Sequence, residues 1–97
     1  MGEVVQEIGE RVRVLASFAE LKITIHFFTW RDRKYEVSSM NLFHIERDGN
    51  KQIYNFAVTA AEGGNSERSR TTADSNTYQL TFDPITLEWR LKNVVEI

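Results

Sequence analysis

His26 and His44 are the side chains of this 97-residue sequence best suited to acid–base or metal chemistry near neutral pH. They show neither H-x-H nor H-x-x-x-H spacing. A metal site would therefore need carboxylates such as Glu36 or Glu46 to converge on them from neighbouring strands. The plain expectation is two surface or half-buried strand histidines. The serines fall in turn and loop positions, and there is no G-x-S-x-G, no phosphate-binding loop and no recognisable carboxylate pair. With no cysteine there is no thiol nucleophile, zinc ribbon or disulfide, which fits a reducing cytosol. The sequence thus points to a non-enzymatic chain, with no catalytic, metal-binding or cofactor-binding residues.

Cations interleaved with aromatics are the other chemistry on offer. Trp30, Arg31, Arg33, Lys34 and Tyr35 surround one turn, and Arg68 and Arg70 belong to a loop expected at the same end. Small β domains bind single-stranded nucleic acid with such sets, stacking bases on aromatics along a cationic groove. Arg31, Arg33, Lys34, Arg68 and Arg70 are therefore the candidate binding residues of an accessory nucleic-acid-binding domain. Against this, Asp32, Glu62, Glu67 and Asp74 stand at the same end, and Trp30 and Tyr35 face each other as core residues. The 12 basic and 14 acidic side chains give a net charge of −2, with no overall attraction to nucleic acid or an anionic membrane. A second cationic stripe, Arg11, Arg13, Arg90 and Lys92, arises if the first and last strands are neighbours. Such charges usually protect an edge or a solvated face. Nucleic-acid binding is accordingly the alternative function, not the leading one.

The elements that position these residues are strands. A chain of this length forms one domain and buries roughly 65% of its unfolded surface. Residues 78–91 read as a complete hairpin, with Asp83 and Pro84 suited to the first two positions of a type I turn. Closing it on Asp83–Thr86 pairs Phe82 with Leu87, Leu80 with Trp89 and Tyr78 with Leu91, all on one face. Residues 11–18 alternate Val12, Val14, Ala16 and Phe18 against polar neighbours and form a strand. Residues 3–8 fit either a short N-terminal helical turn or an irregular edge strand. A strand over about 22–30 turns at Arg31–Lys34, where Asp32 tolerates φ > 0, and pairs Trp30 with Tyr35, Phe28 with Val37 and Ile25 with Met40. The next turn, Asp48-Gly-Asn-Lys51, pairs Ile45 with Tyr54, Phe43 with Phe56 and Asn41 with Val58. Residues 61–76 have no periodicity and few apolar side chains, which marks a long flexible loop. The turns at 19–22, 48–51 and 83–86 fall at the end opposite the 31–34 turn. The uncharged run Ile23–Trp30 is far too short to span a membrane as a helix, and the first residues lack the pattern of a signal peptide.

The 23–42 hairpin carries apolar residues on both faces. Phe28, Trp30, Tyr35 and Val37 share one, and Ile23, Ile25, Phe27, Met40 and Leu42 point to the other. Either a bulge near Phe27–Phe28 or Ser38–Ser39 re-aims the strands, or both faces are covered, by residues 3–8 or by a second subunit. Met40 and Leu42 are the candidate interface residues, because a surplus of apolar surface marks association sites.

The segments Phe28-Thr-Trp30-Arg-Asp-Arg33-Lys-Tyr35-Glu-Val37 and Tyr78-Gln-Leu80-Thr-Phe82-Asp83-Pro-Ile-Thr86-Leu-Glu-Trp89-Arg-Leu91 together resemble a family of small uncharacterised bacterial β domains. Its members read approximately F-x-W-R-G-R-x-Y-x-V and then Y-x-L-x-F-D-x-x-T-x-x-W-x-L. The likeness covers about a quarter of the chain, and Asp32 replaces the usual turn glycine. It implies a β fold and no established activity, since its residues look like hairpin and core determinants. The expectation is a single all-β domain over 1–97: an antiparallel meander of five to six strands forming a small barrel or strongly bent sheet. Its expected role is a cytoplasmic binding or protein-interaction module, with self-association through the 23–42 hairpin.

Overall fold

The computed structural model describes residues 4–63 and 75–96. Among the described residues seven strands form one antiparallel sheet: β1 (Val4–Arg11), β2 (Arg13–Ala19), β3 (Lys22–Trp30), β4 (Arg33–Asp48), β5 (Lys51–Glu62), β6 (Asn76–Asp83) and β7 (Glu88–Glu96). The all-β meander is as expected, but the strand count is seven, not five or six. The N-terminal segment is the edge strand β1, not a helical turn. The ends of the expected 61–76 loop are also strand: Ala61 and Glu62 finish β5 and Asn76 begins β6. Residues 64–74 lie outside the described residues.

The spatial order is β1-β7-β6-β5-β4-β3-β2. β1 and β2 therefore lie at opposite edges of the sheet although only Val12 separates them in the chain. No ladder joins them, so the sheet is not closed. It is bent, because one N-terminal segment runs along β7 with its first half and along β3 with its second. Val12 N–H still donates to the Trp89 carbonyl at 3.1 Å at the crossover. Gly9, at φ +71°, supplies the backbone freedom for the irregularity between Glu7 and Glu10 in which it lies.

Bulges resolve the two-faced hairpin. The ladder between β2 and β3 shifts at His26, and that between β4 and β5 shifts at Ser38 and again at Asn41. Each extra residue reverses the side-chain alternation. Ile25 and Phe28 consequently both reach the core, with Ile23, Trp30, Val37 and Met40 packed against it. Val4 and Val5 do not cover this hairpin. They lie in β1 beside β7 and are more than half exposed.

Two registers differ from those expected. The β3–β4 loop is only Arg31-Asp32, both at positive φ, so Trp30 pairs with Arg33 and Phe28 with Tyr35. The two rings stack at 5.1 Å. In the β6–β7 hairpin Leu87 joins the loop at φ +63°, Phe82 pairs with Trp89 and Leu80 with Leu91. A further shift at Lys92 puts Tyr78 opposite Val94. The Asp83 carboxylate holds this loop, accepting the N–H groups of Ile85 at 2.9 Å and Thr86 at 3.4 Å. The β4–β5 pairs Ile45/Tyr54 and Phe43/Phe56 are as expected, while the Asn41 bulge gives Val58 to Met40. The core comprises Phe28, Phe56, Val58, Leu80, Leu91 and their buried neighbours.

Candidate functional site

The two ends of the bent sheet differ. At the β3–β4 turn Glu10 ties β1 to the end of β3. Its carboxylate accepts the Trp30 indole N–H at 2.8 Å and takes two bonds from the Arg31 guanidinium, the shorter at 2.8 Å. The guanidinium first, and the indole second, hold the Glu10 carboxyl below the usual carboxylate range. This bridges the edge strand β1 to the turn after β3. Arg31 also lies over the Trp30 ring, 4.6 Å from its centroid.

At the other end β3 and β4 part. Their ladder stops at Phe27–Glu36, and beyond it β3 pairs only with β2 and β4 only with β5. The Ile25 N–H, which has lost its strand partner there, donates to the Met40 sulfur at 3.4 Å. A thioether is a weak acceptor standing where a carbonyl would normally be. Between the diverging strands opens a mouth of about 870 Å³. Its floor is Phe56, Tyr54 and Phe82, and its walls are Ile23 and Met40 on one side and Phe43 and Ile45 on the other. Phe43 leans on Phe56 at 5.0 Å and on Tyr54 at 5.7 Å. Around the rim stand Phe18, Leu21 and Leu87, respectively 59%, 106% and 68% exposed. Leu21 and Leu87 also sit at φ +66° and +63°. A bulky side chain in the left-handed region is a genuine outlier, costing about 1–3 kcal/mol. Two residues on one rim thus combine backbone strain with wet apolar surface. Lys22, which lines the mouth, also lines a neighbouring cleft that runs along β3 past His26 to Glu36 and Ser38.

The expected site residues divide between these ends. Arg31 is bonded to Glu10, Arg33 lies 3.3 Å from Glu62, and the Lys34 ammonium sits 4.1 Å above the Phe27 ring. Each of the three described cations of the proposed nucleic-acid set therefore faces an acid or a ring. Tyr35 is core, at 8% exposure. Arg68 and Arg70 lie outside the described residues. Of the expected stripe, Arg11 and Arg90 are neighbours because β1 pairs with β7, with Glu88 between them at 3.0 and 2.8 Å, whereas Arg13 lies on β2 opposite Thr29 of β3, at the other edge of the sheet. Met40 is half-buried against the core, whereas Leu42 is 56% exposed on the outer face.

Sequence reasoning missed three features. The Ser17 hydroxyl and His26 Nε2 share a 2.6 Å hydrogen bond across β2 and β3, because the bulge at His26 turns its ring outward. The pair is exposed, and no carboxylate orients the imidazole among the described residues, so it lacks the third group that an activated serine needs. On the outer face Asn93 is buried and donates to Gln79 Oε1 at 2.9 Å, while its own Oδ1 is buried without a partner among the described residues. The rim was also missed. Its signal was present in Glu20-Leu21, a leucine where a tight hairpin turn favours glycine or asparagine. Among the described residues no three histidines or carboxylates converge as metal ligands, and no helix is long and apolar enough to cross a membrane. No family model, curated protein or solved structure matches the chain.

Proposed function

We propose that this protein is a non-catalytic binding module whose partner docks at the apolar mouth between β3 and β4. The observation that carries this is the rim: Leu21 and Leu87 hold exposed apolar side chains in a strained backbone conformation around one opening. Neither position contributes to the core, and both would be cheaper for stability as glycine or asparagine. Strain of this kind persists where function uses it. The mouth also falls in the size range of ligand clefts, is lined mainly by hydrophobic side chains and adjoins unpaired strand edges. The cationic turn at the opposite end is less suited to a partner, because its charges are already engaged.

Titration with the fluorescent apolar probe anilinonaphthalene sulfonate, on dilute native protein, tests this. Saturable one-to-one binding is expected, weakened at least several-fold by Phe43→Ser and by Ile45→Ser and unchanged by Arg33→Ser. No binding to the folded protein, or binding indifferent to both mouth variants, contradicts the assignment.

A further inference from the structure

We infer that the occupant of the mouth is a second copy of this chain, docked edge to edge along the outer part of β4. This rests on the mouth being a binding site and names its partner.

From Leu42 to Asp48, β4 is paired with β5 on one side only, and every residue from Asn41 to Asp48 is exposed. An unpaired strand edge is a row of backbone donors and acceptors that only another strand satisfies along its length. The usual protections are few over this stretch, whose charged residues are confined to its last three positions, Glu46, Arg47 and Asp48. It contains no proline and no lysine, and no bulge interrupts it after Asn41. An antiparallel edge is also self-complementary under a two-fold axis, the commonest symmetry of soluble oligomers.

Charge chooses the register. Centring the two-fold on Ile45 sets Ile45 against its own copy, His44 against the copy's Glu46 and Phe43 against the copy's Arg47. Direct cross-strand neighbours have Cβ atoms about 4.5–5.5 Å apart, close enough for each pair to touch. The imidazole then meets a carboxylate twice on the outer face. On the inner face two cation-over-ring pairs flank an aliphatic contact. The same operation sets Leu42 against the copy's Asp48 at the outer ends of the ladder, the one pair without matched chemistry.

Phe18, Leu21, Phe43, Ile45 and Leu87, each at least 44% exposed, surround the same opening and supply apolar surface for such an interface. The second copy would extend the sheet across the dyad and bring its own mouth against this one.

Sedimentation equilibrium on the full chain over a wide concentration range tests the inference, with circular dichroism confirming that each variant is folded. The wild type is expected to dimerise. His44→Glu sets glutamate against Glu46 twice and is expected to weaken the dimer about tenfold. Ile45→Lys, which opposes two ammonium groups at the dyad, is expected to abolish it. The double variant His44→Glu with Glu46→Lys restores opposite charges in each pair and is expected to recover dimerisation, which a merely structural defect would not allow. A wild type that stays monomeric throughout overturns the inference, as does a dimer indifferent to both single variants. In the first case the probe titration on dilute protein still decides whether the mouth binds anything, so the two readings fail separately.

Discussion

Two phenylalanines on neighbouring strands should respond very differently to truncation. Phe28 is fully buried, stacked on Tyr35 at 5.1 Å and edge-on to Tyr78 at 5.2 Å. Replacing it with alanine forfeits a transfer term of about 1.5–3 kcal/mol. It also loses two aromatic pairs at about 0.5–1.5 kcal/mol each and opens a cavity in the closed core. A total loss of about 4–5 kcal/mol is expected, near the upper end for such substitutions. Phe43 is 46% exposed on the wall of the mouth and touches only Phe56 and Tyr54 among the rings. About half of its transfer term is at stake, its two ring contacts add about 0.5–1.5 kcal/mol each at most, and no closed cavity forms, so Phe43→Ala should cost about 2–3 kcal/mol. Urea unfolding of dilute protein, with unchanged m-values, measures both. Equal losses at the two sites would show that Phe43 is covered within the chain, and the open mouth would be refuted.

Other outcomes follow from the same geometry. Leu21→Gly removes the strain of φ +66° and exposed apolar area, and after the entropy cost of glycine should leave stability unchanged or raised by up to about 1 kcal/mol while weakening probe binding. Trp89→Ala removes a half-buried ring that packs on Phe82 at 4.5 Å and Phe56 at 5.6 Å; a loss of about 3 kcal/mol, the low end for aromatic truncation, is expected in denaturant unfolding. The Asp83 carboxyl is held below its usual range, chiefly by the Ile85 N–H and then by Thr86 and Lys51. A depressed folded value means that its contribution is complete above the unfolded value near pH 4 and is lost as pH falls through the folded one. Asp83→Asn should therefore flatten the acid limb of a stability-against-pH profile, and an unchanged limb would show that the loop carboxylate is not linked to folding. Glu10, lowered mainly by Arg31, acts in the same direction.

Much of the scaffold was legible in the residues because period-two alternation and turn chemistry are local. Phe43/Phe56 and Ile45/Tyr54 followed from the Gly49 turn alone. The failures have a common physical origin. One extra residue inverts every side chain beyond it, and nothing in the composition of Ser38, Asn41 or Lys92 marks them as the extra ones. The bulge near Ser38–Ser39 was inferable because Val37 and Met40, three residues apart on one strand, could not otherwise both face the core. The register of the 78–91 hairpin was not, since Leu87 looks like a strand residue and instead sits in the loop at positive φ. The mouth depends on where two long strands stop pairing, a non-local outcome that Met40 and Leu42 only hinted at. The cations at the 31–34 turn were readable, but their engagement with Glu10 and Glu62 required the fold.

Methyl-resolved NMR of the native protein, with and without the apolar probe, tests the central claim most directly. Probe-dependent shifts are expected at Ile23, Met40, Ile45 and Leu87, which line the mouth, with little change at Leu80 and Leu91 in the closed core. Shifts spread evenly over both groups, or confined to residues away from the β3–β4 opening, would contradict a binding site there.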